Sequence, residues 1–180
     1  MSREEIVKND FWWKKLMKAM SVVDTNKDGF ISKADFDMVM ERYREMGSSE
    51  AHLKKLDQSY VALRQVLGVV DETSKLTYEE TIENFGKAVV SSTTEELATF
   101  ITAHFETIDS DGNGEISFEE WTNLYKAVGI NTDFARAAFH AMDTNGDGVV
   151  SREEYYAFGK EYFFSAEDKL KSSILYGPMD

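Results

Sequence analysis

The chain has 180 residues, 42% of them hydrophobic, a formal charge of −13 and no cysteine. That length suits one compact domain or two packed lobes, and the missing cysteines exclude disulfides, thiolate metal sites and thiol redox chemistry. The acidic surplus is repelled by nucleic-acid phosphates and anionic lipid.

The opening residues Met1-Ser2-Arg3-Glu4-Glu5 lack the apolar core of a signal peptide, and Ser2 offers no glycine for myristoylation. No run of about 18 apolar residues is present to span a membrane, so a cytoplasmic protein with neither membrane nor nucleic-acid partner is expected. The single proline, Pro178, and apolar residues recurring at helical spacing predict an all-α fold.

The first predicted helix carries Trp12, Leu16, Met20 and Val23. It runs into an acidic turn, loop I, at 24–35: Asp24, Asn26, Asp28, Gly29, Phe30, Ser32 and Asp35. Alternate residues of so tight a turn point inward, and the glycine lets the chain double back. An oxygen available at each of positions one, three, five, seven, nine and twelve suits a hard cation, since calcium takes about 6–8 oxygens at about 2.3–2.6 Å. Position seven serves through its carbonyl, so its side chain is free to vary. Position nine is serine here and acts through water, while position twelve closes the loop with a carboxylate. Asp35 is one methylene shorter than the usual glutamate, and magnesium, which prefers an octahedron at about 2.0–2.1 Å, is expected to compete best at this loop.

The helix after loop I shows Phe36, Val39, Met40 and Tyr43, and Gly47-Ser48-Ser49 ends that unit. A second unit follows, its entering stripe being Leu56, Tyr60, Leu63 and Leu67. Aligned through Leu76-Thr77-Tyr78-Glu79-Glu80, its loop II at about 69–80 has Val69 at position one, Asp71 at three, Thr73 at five and Ser74 at six. A start at Asp71 would leave it two residues short. Either way an acid or the turning glycine is missing, and loop II is expected to bind nothing; Leu76 would pair with Ile31 and so hold the first two loops together.

Ser91-Ser92-Thr93-Thr94 separates the halves, and Thr93 with Glu96 forms a predicted capping box. Leu97, Ile101, Phe105 and Ile108 then lead into loop III at 109–120, with Asp109, Asp111, Asn113, Gly114, Glu115, Ser117 and Glu120. Trp121, Leu124, Tyr125 and Val128 follow it. Beyond Asn131-Thr132-Asp133, Phe139 and Met142 enter loop IV at 143–154: Asp143, Asn145, Asp147, Gly148, Val149, Ser151 and Glu154. Tyr155, Phe158 and Tyr162 leave it, and Ile116 would pair with Val150.

Loops of this pattern are EF-hands. Expected, then, are four helix–loop–helix units in two paired lobes, 1–90 and 91–180 with its tail, packed into one globule because no long tether divides them. Three calcium ions are expected, at loops I, III and IV.

The whole chain resembles the invertebrate sarcoplasmic calcium-binding proteins and is similar also to the calcium-triggered luciferin-binding proteins of cnidarians. Both have working loops I, III and IV and a degenerate loop II, and both admit aspartate where Asp35 closes loop I. The tail Leu175-Tyr176-Gly177-Pro178 resembles their aromatic-Gly endings. The resemblance implies a monomeric cytosolic buffer for calcium and magnesium. It leaves two alternatives. One is a calcium-triggered carrier of an apolar small molecule such as coelenterazine, its cavity lined by Trp12, Trp13, Phe105, Phe139, Phe158 and Tyr162. The other is a sensor exposing Met17, Met20, Met38, Met40 and Met46 to a target helix. Light emission is not expected, because the related photoproteins use His/Trp/Tyr sets and no tryptophan follows Trp121 and no histidine follows His140. His52, His104 and His140 show no catalytic spacing, so no enzyme is expected.

Overall fold

Local hydrogen bonding decides where each helix starts. Asn9 accepts bonds from the amides of Phe11 and Trp12 at 2.8 and 3.3 Å and so begins helix α2, and Ser49 does the same for α4 through His52 at 3.1 Å. Thr93 and Glu96 form the expected capping box at the head of α6. The computed structural model describes residues 1–168 and 171–178, and leaves the side chains of Thr94 and Leu97 outside the described set.

After a short α1 (Arg3–Ile6), the helices are α2 (Asp10–Val23), α3 (Lys33–Glu45), α4 (Glu50–Leu67), α5 (Tyr78–Ser91), α6 (Thr94–Ile108), α7 (Phe118–Val128), α8 (Ala135–Met142) and α9 (Arg152–Phe164). Two-residue strands β1 (Ile31–Ser32) and β2 (Lys75–Leu76) pair antiparallel, as do β3 (Glu115–Ser117) and β4 (Val149–Ser151). Their registers match Ile31 with Leu76 and Ile116 with Val150, as the sequence predicts. Ile31, Ile116 and Val150 are wholly buried, so each strand pair closes over apolar side chains.

One continuous core joins both strand pairs, from Trp12 and Leu16 through Ile82 and Phe105 to Trp121 and Tyr162. Several polar contacts cross between the first and last parts of the chain. The Trp12 indole donates to the Phe163 carbonyl at 2.8 Å, Arg42 donates to the Ala127 carbonyl at 2.8 Å, and His52 bonds the Thr107 carbonyl. Tyr125 donates to the Leu175 carbonyl at 2.8 Å, which docks the tail. The result is the predicted all-helical globule. No helix among the described residues is long and apolar enough to cross a membrane.

Candidate metal centre

Loops I, III and IV leave their entering helices in the same way. Asp24, Asp109 and Asp143 each cap the preceding helix with φ between −64° and −68° and ψ between 78° and 85°. Five residues on, Gly29, Gly114 and Gly148 take φ of +84°, +90° and +90°, a conformation costly for any side chain with a Cβ. That turn aims each glycine amide back at the first aspartate, which accepts it at 2.9, 3.0 and 3.1 Å.

The closing carboxylate is held at both oxygens. In loop III, Glu120 Oε1 accepts from Ser110 N at 2.8 Å and Ser110 Oγ at 3.0 Å, while Oε2 accepts from Ser117 N and Oγ, both at 2.9 Å. Loop IV repeats this: Glu154 Oε1 takes Thr144 N and Oγ1 at 2.9 and 2.8 Å, and Oε2 takes Ser151 N and Oγ at 2.9 Å each. Burial opposes ionisation of Glu154, but the bonds from Ser151 and Thr144 outweigh it and hold its pKa at about 2. Ser117 and Ser151 also cap α7 and α9, so positions nine and twelve serve as a capping box as well.

Loop I shows what the shorter acid costs. Asp35 Oδ2 accepts from Ser32 N and Oγ at 2.9 and 3.1 Å, and Oδ1 from Asn26 N at 3.2 Å. It does not reach position two, where Thr25 donates instead to the Val23 carbonyl at 3.0 Å. The hydroxyls of Ser110 and Thr144 at position two were absent from the sequence reading. A hydroxyl there, opposite a closing glutamate, is the signal that marks them.

The acids differ in how closely they gather. Asp109, Asp111 and Glu120 place carboxylate oxygens within 4.8 Å of one another, the one such trio among the described residues. The corresponding acids of loops I and IV stand further apart. In loop I, Asp24 and Asp35 are buried while Asp28 is exposed. Loop IV lies nearer solvent, with Asp147 exposed and Glu154 half-buried. All the donors offered at these positions are oxygens, the set a hard divalent cation takes.

Loop II departs from this geometry. Helix α4 ends on Gly68 in a left-handed turn, with Val69 N bonded to the Arg64 carbonyl at 2.8 Å. Val69, at position one, is buried in the core. Asp71 accepts from Thr73 N and Oγ1 and from Ser74 Oγ within its own turn. Glu80 survives as the partner of Thr77 in the capping box of α5. Two loop II residues reach across to loop I: Tyr78 Oη donates to Asp24 Oδ2 at 2.6 Å, and Lys75 Nζ lies 3.1 Å from Asp28 Oδ2. The Lys75 ammonium holds the Asp28 carboxyl below the usual range. Neither contact was read from the sequence.

An apolar cavity of about 80 Å³ lies where helices α2 to α7 meet α9. Its wall is not the predicted one: Leu16, Met20, Tyr60, Phe85, Phe100 and Phe163 line it, with His104 and Tyr176. Trp12, Trp13, Phe105, Phe139, Phe158 and Tyr162 do not. Trp12 turns away to stack on Phe85 at 6.4 Å, Phe105 meets Tyr155 and Phe139 meets Phe118. The five methionines of loop I's unit form no single exposed face. Met20 is core, Met17 and Met40 pack against it, and Met38 accepts a bond from Arg42 at 3.4 Å. His104 bonds Tyr155, His52 is buried and His140 is exposed. They lie in separate surroundings.

Comparison with known proteins agrees with this geometry. Residues 98–158 match an EF-hand domain pair and residues 16–40 match an EF hand. The chain is 31% identical to a sarcoplasmic calcium-binding protein of Perinereis vancaurica tetradentata, over 95% of this chain and 99% of the relative. It is 26% identical to the luciferin-binding protein of Renilla reniformis, over 64% of this chain and 65% of that one. The coelenterazine-binding protein of Renilla muelleri, in its calcium-loaded apo form, superposes with a TM-score of 0.76 at 25% identity, covering 93% of this chain and 95% of that structure. With its strand-paired helix–loop–helix units and a relative matched nearly end to end, the chain belongs to the calcium-binding EF-hand family of the sarcoplasmic calcium-binding proteins.

Proposed function

We propose that the protein is a cytosolic calcium buffer that takes up one ion at each of loops I, III and IV and none at loop II. The observation that carries this is the repeated closed loop: in three places a terminal carboxylate is held at both oxygens by groups from the two ends of its own turn. A bound ion supplies the positive charge that lets those acids stand together, and the residues hold oxygens towards it. In loop I these are Asp24, Asn26, Asp28, the Phe30 carbonyl, Ser32 and Asp35. In loop III they are Asp109, Asp111, Asn113, the Glu115 carbonyl, Ser117 and Glu120, and in loop IV Asp143, Asn145, Asp147, the Val149 carbonyl, Ser151 and Glu154. Two EF-hand pairs, 1–90 and 91–180, would then work as one unit. Magnesium is accepted most readily at loop I, because the shorter Asp35 gives the ion one oxygen where a glutamate gives two, and six-fold coordination suits magnesium.

Calorimetric titration tests this. Three calcium ions per chain are expected, falling to two in Glu120→Gln and in Glu154→Gln. Unchanged uptake in either variant would refute the assignment of that loop. In excess magnesium, calcium uptake at loop I should weaken more than at loops III and IV.

A second reading is supported by the cavity and by the likeness to the coelenterazine-binding protein. An apolar void edged by His104, Tyr60 and Tyr176 has the character of a small-molecule site. Its volume of about 80 Å³ is well below the roughly 300–1,000 Å³ of sites for drug-sized ligands, which favours the buffer. Coelenterazine added to the calcium-free protein separates the two: stoichiometric binding reversed by calcium would establish the carrier.

A further inference from the structure

We propose that the degenerate loop II has become the regulator of loop I. Lys75 lowers the cation affinity of that loop by pairing with Asp28, and Tyr78 raises it by fixing Asp24. This rests on the reading of loop I as a cation site.

The two contacts follow from the strand register. Lys75 lies opposite Ser32 in the β1–β2 pair, which brings its stem along loop I. Its ammonium sits 3.1 Å from Asp28 Oδ2 and 4.5 Å from the centre of the Phe30 ring, so one lysine engages positions five and seven together. Tyr78, the first residue of α5, donates to Asp24 Oδ2 at 2.6 Å, on the oxygen that also accepts the Gly29 amide. One oxygen of a buried aspartate thereby carries two donors, which holds the carboxylate in one orientation.

Among the described residues, the other loops have no counterpart: the side-chain and backbone bonds given to Asp109, Asp111 and Glu120 come from loop III itself, and those to Asp143, Asp147 and Glu154 from loop IV. Where loop II has Lys75, loop IV has Val149. Where loop II has Tyr78, loop IV has Arg152, which turns to Glu106 at 2.6 Å. Loop II thus lacks an acid at positions one and five and directs a cation and a phenol, from positions seven and ten, at its neighbour. The ammonium competes with a divalent ion for the same carboxylate and repels it, with a strength that salt reduces.

The test uses the full chain in calcium titrations followed through the amide resonances of Gly29, Gly114 and Gly148, each of which donates to the first aspartate of its own loop. In Lys75→Gln, Gly29 should titrate at about three- to tenfold lower calcium in low salt, the gain shrinking at physiological salt. In Tyr78→Phe, it should titrate at about tenfold higher calcium. Gly114 and Gly148 should hold their native midpoints in both. Lys75 is half-exposed, with 51% of its side chain open to solvent, so its variant should fold whatever the fate of Tyr78→Phe. A native Gly29 midpoint in Lys75→Gln overturns the proposed regulation while leaving loop I a site. A Gly29 resonance that never responds in the native protein removes the site and the regulation with it.

Discussion

His104 shows how one side chain's surroundings set its chemistry. It shares a hydrogen bond with the Tyr155 hydroxyl and borders an apolar void, and burial lowers its pKa from 6.5 to about 4. The folded imidazole therefore stays neutral where the unfolded one takes up a proton. As pH falls from about 6.5 towards 4, the unfolded state binds the extra proton and stability drops, on the order of 2 kcal/mol for a side chain that is not wholly enclosed. In calcium-free protein, thermal denaturation across that interval should show a steep loss for the native chain and a shallower one for His104→Gln. Parallel curves would mean that His104 titrates as if in water. Asp35 teaches a related lesson. Its missing methylene was readable from the sequence, but the consequence, Thr25 turning to the Val23 carbonyl, depends on where the neighbouring turn lies.

Short strands join loop to loop, and they were the most legible part of the fold. Position eight of each loop pairs with position eight of its neighbour, so Ile31 with Leu76 and Ile116 with Val150 followed from counting along the chain. Helix starts were legible for a similar reason: Thr93 and Glu96 are three residues apart, and their bonds are local. The cavity wall was not. An apolar stripe on a helix is wider than any one contact, so periodicity shows that Trp12 and Leu16 are inside but not which neighbour each faces. Leu16 faces the void and Trp12 faces Phe85. Tyr78 and Lys75 were hidden likewise, since nothing in their own segment names Asp24 or Asp28 as the partner. Ile116 lends itself to a direct test of the strand pair. It is fully buried beside Val150, so Ile116→Ala should cost about 2–4 kcal/mol. It should also broaden the calcium titration by loosening the joint between loops III and IV. Urea unfolding of the calcium-free chain gives the first quantity and calorimetry the second; a loss below about 0.5 kcal/mol would show the joint to be slack.

At the scale of the whole molecule, the first long helix is bound to the last by a buried ammonium. Lys15 is fully enclosed, and its Nζ donates to the carbonyls of Tyr162 and Ser165 at 2.7 Å each and of Glu161 at 3.3 Å. These belong to the end of α9, where the helix leaves carbonyls without partners and carries partial negative charge. Tyr162 returns a bond from its hydroxyl to the Lys15 carbonyl at 2.8 Å, and burial lowers the Lys15 pKa to about 8. Lys15→Met fills similar space but strips the donors from three carbonyls, and a loss of about 3 kcal/mol is expected. Calcium acts on the same stability by a separate route. On the three-ion reading, uptake would bring the net charge from −13 to about −7, and each independent site would add about 2.7 kcal/mol at 100 times its Kd. The lock touches none of the loop acids, so the two effects should add. Melting temperatures of native and Lys15→Met protein, with calcium and with a chelator, complete the cycle. Equal losses in both conditions are expected. A loss confined to the calcium-loaded form would instead show that ion uptake draws α2 and α9 together, and that this lysine holds a movable joint in place of a permanent one.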